Sequence, residues 1–186
     1  MSAAGLILFH GAGGDRDHAT LLALDESLDV PVARVNFPYR DKGPGRRPPD
    51  RMPRLIEAIV DAGRHWSAEW GVDQRELVFG GRSMGGRAAS MAIAEGLQAK
   101  GLLLLSYPLH PQGKPDKLRI DHFDQVRCPT LLIQGTRDPM GRPEEMARHL
   151  PALGGPLQES WIDANHDPKG HDEHIATTVN DWLAQL

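Results

Sequence analysis

The chain has little cysteine, no marked excess of charge and no long apolar segment. Cys128 is its only cysteine, which excludes an internal disulfide and is typical of a reducing compartment. The formal net charge of -4 gives no reason to expect binding to nucleic acid or to an anionic membrane. No apolar run approaches the ~20 residues that a membrane-spanning helix needs, so no membrane association is expected.

The amino-terminal residues also lack the basic segment that opens a secretory signal peptide. Together with the single cysteine, this predicts a cytoplasmic protein. The 186 residues, 40% of them hydrophobic and 25% charged, have the composition of a globular protein with a substantial core. We therefore expect one domain over residues 1–186, and the composition does not indicate an oligomeric state.

Short apolar runs alternate with segments of helical periodicity along the whole chain. Five runs are typical of strands buried in a parallel sheet, and a sixth, more polar run is expected at the sheet edge. The predicted strands are residues 6–9, 32–37, 76–79, 101–105, 130–134 and 158–162. The predicted helices are residues 17–28, a long helix that begins at Pro53, and the segment that follows Ser83. After these, a short helix is predicted at 121–126 and longer helices at 143–150 and 171–186. This alternation predicts an α/β fold, with a mostly parallel sheet of about six strands, helices on both faces and right-handed crossovers.

The pattern Gly81-x-Ser83-x-Gly85 lies where a predicted strand turns into a helix. It is typical of a nucleophile elbow, a turn so sharp that side chains two residues before or after the serine would collide with the neighbouring strand and helix. The hydroxyl is then expected at the carboxyl end of the sheet, facing the amino end of the helix, which favours a developing negative charge. The alternative is a glycine-rich turn without chemistry, and the surrounding sequence decides between the two.

Ligands of open α/β sheets bind beyond the carboxyl ends of the strands, so the residues that follow each predicted strand are the candidates for chemistry. These candidates are Gly11 and Ala12 in a glycine-rich loop, Tyr39 and Arg40 before a loop rich in proline, glycine and arginine at 41–50, and Ser83, Tyr107, Asp138 and His166. We expect substrate contacts from Gly11, Tyr39, Arg40 and Tyr107, although the charges around the 41–50 loop are also compatible with simple solvation.

Ser83, Asp138 and His166 follow one another in an order that serine hydrolases use. Serine is a weak nucleophile at neutral pH and needs a base, which His166 is expected to be before it protonates the leaving group. Asp138 is expected to accept a hydrogen bond from the other ring nitrogen and to fix the tautomer. The backbone N–H groups of Met84 and Ala12 are the predicted oxyanion hole.

Other residues near the predicted site have competing interpretations. Asp163 and Asp167 flank His166, but closeness in sequence does not orient a carboxylate behind a ring, and both are expected to cap loops. His171 and His174 are alternatives to His166, although they fall at the start of the last helix, where a surface histidine is the ordinary expectation.

A metal site built from these histidines and aspartates matches no established ligand spacing, so neither a metal nor a cofactor is predicted. His10 is expected to shape the turn under the oxyanion loop rather than to act as a base. Cys128 precedes a proline at a predicted strand entrance, and we expect a small buried hydrophobe there rather than a nucleophile.

Five segments of the chain carry a family resemblance. They are residues 9–14 (FHGAGG), 36–40 (NFPYR), 81–87 (GRSMGGR), 105–110 (LSYPLH) and 134–139 (QGTRDP). They resemble the small α/β-hydrolase family related to dienelactone hydrolases, which includes the testis-expressed-30 protein and the hydrolase-like part of the third NSL-complex subunit. The resemblance spans nearly the whole chain and implies a compact single-domain α/β-hydrolase fold without a lid domain. It also implies Ser83 as nucleophile, Asp138 as acid and His166 as base.

The first functional hypothesis is a serine hydrolase that cleaves a small ester, thioester or similar acyl compound, because a triad and an oxyanion loop are both present. Without a lid, the pocket is expected to be shallow and open, which suits small soluble substrates. The alternatives are a non-catalytic protein-interaction module on the same fold and, third, a metal hydrolase. Arg40, Arg82, Arg87 and Arg137 lie near the predicted rim and are compatible either with an anionic substrate or with ion pairs to nearby carboxylates.

Overall fold

The computed structural model describes residues 3–41 and 47–186, which form a six-stranded sheet with helices on both faces. The strands are β1 (Gly5–Phe9), β2 (Val32–Val35), β3 (Leu77–Arg82), β4 (Gly101–Leu105), β5 (Thr130–Gly135) and β6 (Leu157–Ile162). The α-helices are α1 (Ala19–Ser27), α2 (Met52–Trp70), α3 (Met84–Ala94), α4 (Pro143–His149) and α5 (Asp172–Leu183). Short 3-10 turns occupy Gln74–Glu76, Phe123–Gln125 and Leu150–Ala152.

All neighbouring strands are parallel, in the order β2-β1-β3-β4-β5-β6. The inner strands β1, β3, β4 and β5 are almost wholly buried, which explains their continuous apolar runs. The more polar β6 lies at an edge, as predicted. The chain first adds β2 on one side of β1 and then continues from β3 on the other side. The carboxyl ends of β1 and β3 therefore border the switch point at which such sheets bind ligands.

The sheet separates two apolar cores, because successive side chains of a strand point to opposite faces. Ile7 and Phe9 of β1 pack into the core that α2 and α3 cover, whereas Leu6 and Leu8 pack into the core that α1 and α5 cover. Each of these four fully buried side chains contributes about 1.5–3 kcal/mol of hydrophobic stabilisation. The ends of β1 and β3 are thus supported by packed layers on both faces.

Two element ends are set by histidine side chains. Helix α1 begins two residues later than predicted, because Nδ1 of His18 caps it by accepting the Thr20 N–H at 3.3 Å. Strand β2 ends at Val35 rather than Phe37, whose N–H donates to Nε2 of His10 at 3.1 Å instead of to a neighbouring strand. The short helix predicted at 121–126 is only the 3-10 turn Phe123–Gln125.

The predicted surface loop at 41–50 is described at its two ends, since residues 42–46 lie outside the described residues. Helix α2 follows the loop and carries Pro53 in its first turn, where proline is well tolerated. In the described part of the chain, no helix combines the length and the apolar character that crossing a bilayer requires.

Candidate active site

Ser83 forms the turn between β3 and α3, with φ 51° and ψ -113°. A positive φ is uncommon for a residue with a side chain and costs on the order of 1–3 kcal/mol, which the surroundings must offset. The Ser83 N–H donates to the Leu105 carbonyl of β4 at 2.8 Å, and its own carbonyl accepts the Arg87 N–H at 3.0 Å. The turn is therefore tied to the sheet on one side and to the helix on the other, which holds Ser83 in the strained position of an elbow.

The glycines around Ser83 are required by the close approach of β1. A Cβ on Gly81 would collide with the Phe9 carbonyl group. A Cβ on Gly85 would lie 2.6 Å from the Phe9 carbonyl carbon and 2.8 Å from the His10 carbonyl oxygen. The steric role predicted for both glycines is confirmed, and the backbone that they avoid is that of β1 and the residue after it.

Ser83, His166 and Asp138 form a continuous hydrogen-bonded chain. Ser83 Oγ lies 2.8 Å from His166 Nε2, and His166 Nδ1 lies 2.7 Å from Asp138 Oδ2. The fold brings these residues together from the ends of β3, β5 and β6. The Asp138 side chain has no exposed surface, whereas that of His166 is 20% exposed. The histidine is therefore accessible to a ligand while the aspartate is shielded from water.

The Asp138 carboxylate accepts hydrogen bonds from three donors. Oδ2 accepts from Gln134 Nε2 at 2.9 Å as well as from His166, and Oδ1 accepts the Met140 N–H at 2.8 Å. An ionised carboxylate can only accept, which assigns the ring proton to His166 Nδ1. Nε2 then carries a lone pair toward the Ser83 hydroxyl, the arrangement that a general base requires.

Gln134 lies in the 134–139 segment, but no functional role was predicted for it from the sequence. Its side chain is fully buried in β5, and its Oε1 accepts the Tyr107 N–H at 2.7 Å. Its Nε2 also lies 3.2 Å from the Gly141 carbonyl, in addition to its bond with Asp138. The signal in the sequence is a glutamine inside a buried apolar strand, because a buried amide must find partners. Gln134 joins the ends of β4 and β5 and positions the Asp138 carboxylate.

The loop that carries His166 is held by Arg82, the residue before the elbow serine. Arg82 Nη2 donates to the His166 carbonyl at 3.1 Å and lies 3.5 Å from Asp167 Oδ1. Burial lowers the pKa of Arg82, and the Asp167 carboxylate opposes that shift. Asp167 therefore stabilises the loop through Arg82, while the carboxylate that is hydrogen-bonded to the His166 ring belongs to Asp138.

The other residues considered for the triad, Asp163, His171 and His174, have different surroundings. Asp163 pairs with Arg137 at the surface, where Arg137 Nε is 3.2 Å from Oδ1. His171 precedes α5, and His174 Nε2 lies 3.4 Å from Ser160 Oγ. Among the residues that the structure describes, no group of three or more His, Cys, Asp or Glu side chains is arranged to hold a metal ion.

A second serine–histidine pair lies deeper in the molecule. Ser90 Oγ is 2.7 Å from His122 Nε2 and donates to the Arg87 carbonyl at 2.8 Å. Ser90 has no exposed surface and lies inside α3, without the strained turn of Ser83. Burial and the neighbouring Arg87 lower the pKa of His122 to about 4, so its ring is neutral at pH 7. Because Ser90 itself has no exposed surface, a substrate cannot reach its hydroxyl, which makes Ser90 a suitable control for Ser83.

His10 fixes the loop that follows β1. The Phe37 N–H donates to its Nε2 at 3.1 Å, which leaves the ring proton on Nδ1 for donation to the Gly11 carbonyl at 2.8 Å. Burial lowers the pKa of His10, which favours the neutral ring. These contacts agree with the prediction that His10 shapes the turn rather than acting as a base.

The two predicted oxyanion donors lie on the same cavity as Ser83. Met84 is the first residue of α3, where backbone N–H groups lack an intrahelical acceptor. Ala12 lies in the loop after β1, and both residues line the cavity. Gly11 borders the elbow, since a Cβ there would lie 3.4 Å from Ser83 Cβ. The role of the Ala12 and Met84 N–H groups as oxyanion donors stays a prediction.

A cavity of about 550 Å³ opens beside Ser83 and His166. Its apolar lining includes Met52, Leu55, Met84, Pro108 and Met140. Among the described residues, its charged lining comprises Asp50, Arg82, Arg87 and Arg119. This volume, with apolar walls and a few polar groups, is typical of a small-molecule site.

Three of the predicted substrate contacts require correction. Tyr107 has no exposed surface and Tyr39 is 2% exposed, and both rings belong to the core covered by α2 and α3. The Tyr107 hydroxyl donates to the Arg119 carbonyl at 2.6 Å rather than facing the cavity. The Arg40 side chain pairs with Asp15, with Nη2 3.1 Å from Oδ2, and Arg40 is not part of the cavity lining. The aromatic residues follow strand ends, as expected, but their side chains turn back into the core.

Cys128 is a poor nucleophile in its environment. It is half-buried against the core, and burial raises the pKa of its thiol to about 11. At pH 8 the reactive thiolate is then rarer, by a factor on the order of a hundred, than in an exposed cysteine. We expect iodoacetamide to modify native Cys128 far more slowly than the urea-unfolded chain, as followed by mass spectrometry, with a rate that rises with pH. Equal rates at pH 8 in the two states would contradict this protection.

Comparison with known proteins gives a family and a fold. The model of the alpha/beta hydrolase domain family matches residues 2–185. Est1E from Butyrivibrio proteoclasticus, solved with bound ferulic acid, is 19% identical to this chain, with a TM-score of 0.79. The match covers 99% of this chain and 89% of the Est1E chain. Dienelactone hydrolase from Anabaena variabilis is 21% identical with a TM-score of 0.76, over 98% and 87% of the two chains. A putative hydrolase of the alpha/beta superfamily from Xanthomonas campestris is 20% identical with a TM-score of 0.72, over 100% of both.

Proposed function

The chain belongs to the alpha/beta hydrolase domain family, and from that premise we propose that it is a serine hydrolase of a small ester, thioester or similar acyl compound. One observation carries the proposal: a hydrogen-bonded chain runs from Asp138 through His166 to Ser83, whose strained turn faces a cavity of small-molecule size. Hydrogen-bond contact between nucleophile and base, and between base and acid, is the geometry of nucleophilic catalysis.

The first half of the reaction forms an acyl-enzyme. His166 Nε2 removes the proton from Ser83 Oγ as the oxygen attacks the carbonyl carbon of the substrate. The negative charge that develops on the carbonyl oxygen is stabilised by the N–H groups of Met84 and Ala12, each worth about 2.7–4 kcal/mol in such sites. Asp138 stabilises the imidazolium through Nδ1. His166 then protonates the departing alcohol or thiol, which leaves the acyl group on Ser83.

The second half of the reaction restores the enzyme with the same groups. A water molecule takes the place of the leaving group, and His166 Nε2 accepts one of its protons as it attacks the acyl carbon. The second tetrahedral intermediate collapses with return of the proton to Ser83 Oγ and release of the carboxylic acid. The cavity of about 550 Å³ supports a substrate of modest size, and no metal or cofactor enters any step of the proposal.

Activity-based labelling tests the proposal. A fluorophosphonate probe should label the wild-type protein covalently on Ser83, because only a serine activated by a base reacts at a useful rate. Ser83→Ala should not be labelled. Ser90→Ala is the matched control and should retain labelling, since Ser90 is buried in α3 beside His122.

The possible results separate two functions. Labelling of wild type and Ser90→Ala, but not of Ser83→Ala, supports the hydrolase. A wild-type protein that stays unlabelled while its circular dichroism spectrum is that of a folded α/β protein would contradict the hydrolase and favour a non-catalytic interaction module.

A further inference from the structure

Two arginines in the cavity wall lack an acidic partner. Arg87 and Arg119 line the cavity with Ser83, and Nε of Arg87 is buried without a hydrogen-bond partner. Across residues 3–41 and 47–186, neither guanidinium forms an ion pair with a carboxylate. By contrast, Arg82 in the same wall lies 3.5 Å from Asp167. The residues outside those ranges include no aspartate or glutamate.

These two positive charges act on each other. Burial lowers the pKa of Arg119, and the nearby Arg87 lowers it further, with no carboxylate among the groups that oppose the shift. The neighbouring His122 is neutral at pH 7 and offsets neither charge. Two like charges in a partly desolvated wall repel each other, and a bound anion between them would relieve that repulsion.

The fold fixes the backbone of both arginines at the cavity that Ser83 also lines. Arg87 lies one turn into α3, and its N–H donates to the Ser83 carbonyl at 3.0 Å. Arg119 is fixed by its backbone, because its N–H donates to the Leu109 carbonyl at 2.8 Å and its carbonyl accepts the Tyr107 hydroxyl at 2.6 Å. The buried Tyr107 therefore acts on the cavity indirectly, by positioning Arg119.

Asp50, two residues before α2, is the acidic residue of the cavity lining. Its Oδ2 is 3.8 Å from Arg54 Nε, so a cation already accompanies it. Apolar side chains such as Leu55 and Met84 form other parts of the wall. The cavity thus combines a nucleophile, apolar surface and a cationic patch formed by Arg87 and Arg119.

We propose that Arg87 and Arg119 bind a carboxylate group of the substrate, which makes the substrate an ester or thioester with a carboxylate a short carbon chain away from the reacting carbonyl. The inference rests on the proposed hydrolase function and adds a substrate class to it. Planar guanidinium groups pair with carboxylates through two parallel hydrogen bonds, and the apolar wall suits the intervening carbon chain. The carboxylate belongs either to the acyl group or to the leaving group, and the test distinguishes the two.

Two pairs of chromogenic or phenolic esters supply the test. For the acyl side, mono-para-nitrophenyl glutarate is compared with para-nitrophenyl valerate. For the leaving side, para-carboxyphenyl butyrate is compared with para-tolyl butyrate. The wild type should prefer the anionic member of one pair in kcat/KM. Arg87→Gln and Arg119→Gln should each reduce that preference, mainly through KM, by roughly ten- to a hundredfold, as expected for hydrogen bonds to a charged group.

Matched variants and labelling separate the possible explanations. Arg87→Lys and Arg119→Lys keep the charge and should retain part of the preference, whereas Arg64→Gln changes an exposed arginine of α2 and should retain all of it. A labelled enzyme with no preference for either anionic ester, or with a preference that survives both glutamine substitutions, overturns the carboxylate site but not the hydrolase. Absence of fluorophosphonate labelling contradicts the hydrolase itself.

Discussion

Replacing Asp138 with asparagine should lower kcat by about ten-thousandfold while the protein stays folded, a loss typical of this change in Ser-His-Asp sites. The reason is that all three partners of the carboxylate are donors, from Gln134, Met140 and His166. If the new amide turns its NH₂ toward His166, the ring must carry its proton on Nε2 and cannot accept one from Ser83. If the NH₂ faces the Met140 N–H instead, two donors oppose each other. In both orientations, the negative charge that stabilises the imidazolium is lost.

The measurement is the kcat of ester hydrolysis, with the rate of fluorophosphonate labelling as a second readout. Asp163→Asn is the matched control, because Asp163 also lies near His166 in sequence but pairs with Arg137 at the surface. Its kcat should stay within about twofold of the wild type, in keeping with the small effect of exposed ion pairs. Comparable losses in the two variants, or a near-normal Asp138→Asn, would show that Asp138 does not orient the histidine. Thermal unfolding of each variant excludes a loss of fold as the cause.

The fold was predictable because its signals are local and repeated. Each inner strand is a short apolar run, each helix has an apolar face, and their alternation leaves few topologies open. The parallel six-stranded sheet, its polar edge strand β6 and membership of the alpha/beta hydrolase family are all confirmed. The element ends were less predictable, because histidines decide two of them through single hydrogen bonds, His18 at α1 and His10 beside β2.

The candidate site was predictable in its backbone but not in its side-chain directions. Strand ends identify which residues reach the rim, so Ser83, Asp138 and His166 could be selected, and the structure places them in hydrogen-bond contact. The same rule selected Tyr107, whose ring turns into the core because space and a carbonyl acceptor exist there. It missed Arg119, which lies in a polar stretch without periodicity and reaches the cavity only through tertiary contacts.

The substitution Gly85→Ala should lower the free energy of unfolding by about 3 kcal/mol or more, through overpacking against backbone. Gly85 is the second residue of α3, where helix propensity alone favours alanine by roughly 0.5–1 kcal/mol. Steric contact outweighs that gain, because the added Cβ would lie 2.6 Å from the Phe9 carbonyl carbon and 2.8 Å from the His10 oxygen. Those atoms belong to the backbone at the end of a central strand and cannot swing aside as a side chain can. For a domain of this size, the melting temperature should fall by roughly 6–12 °C.

Gly14→Ala is the control, since a Cβ there meets only the Gly11 oxygen at 3.6 Å, an ordinary contact. Its melting temperature should match the wild type or rise slightly, because alanine restricts the unfolded chain. Both variants add one methyl group to a glycine, in the loop after β1 for Gly14 and in α3 for Gly85, and only at Gly85 does that methyl group meet the backbone of β1. If α3 moves away from β1 to accommodate Gly85→Ala, Ser83 moves with it, and labelling by the fluorophosphonate should fall even where the folded protein survives. A Gly85→Ala protein with wild-type stability and wild-type labelling would mean that the elbow does not rest against β1, and the strained conformation assigned to Ser83 would lose its structural cause.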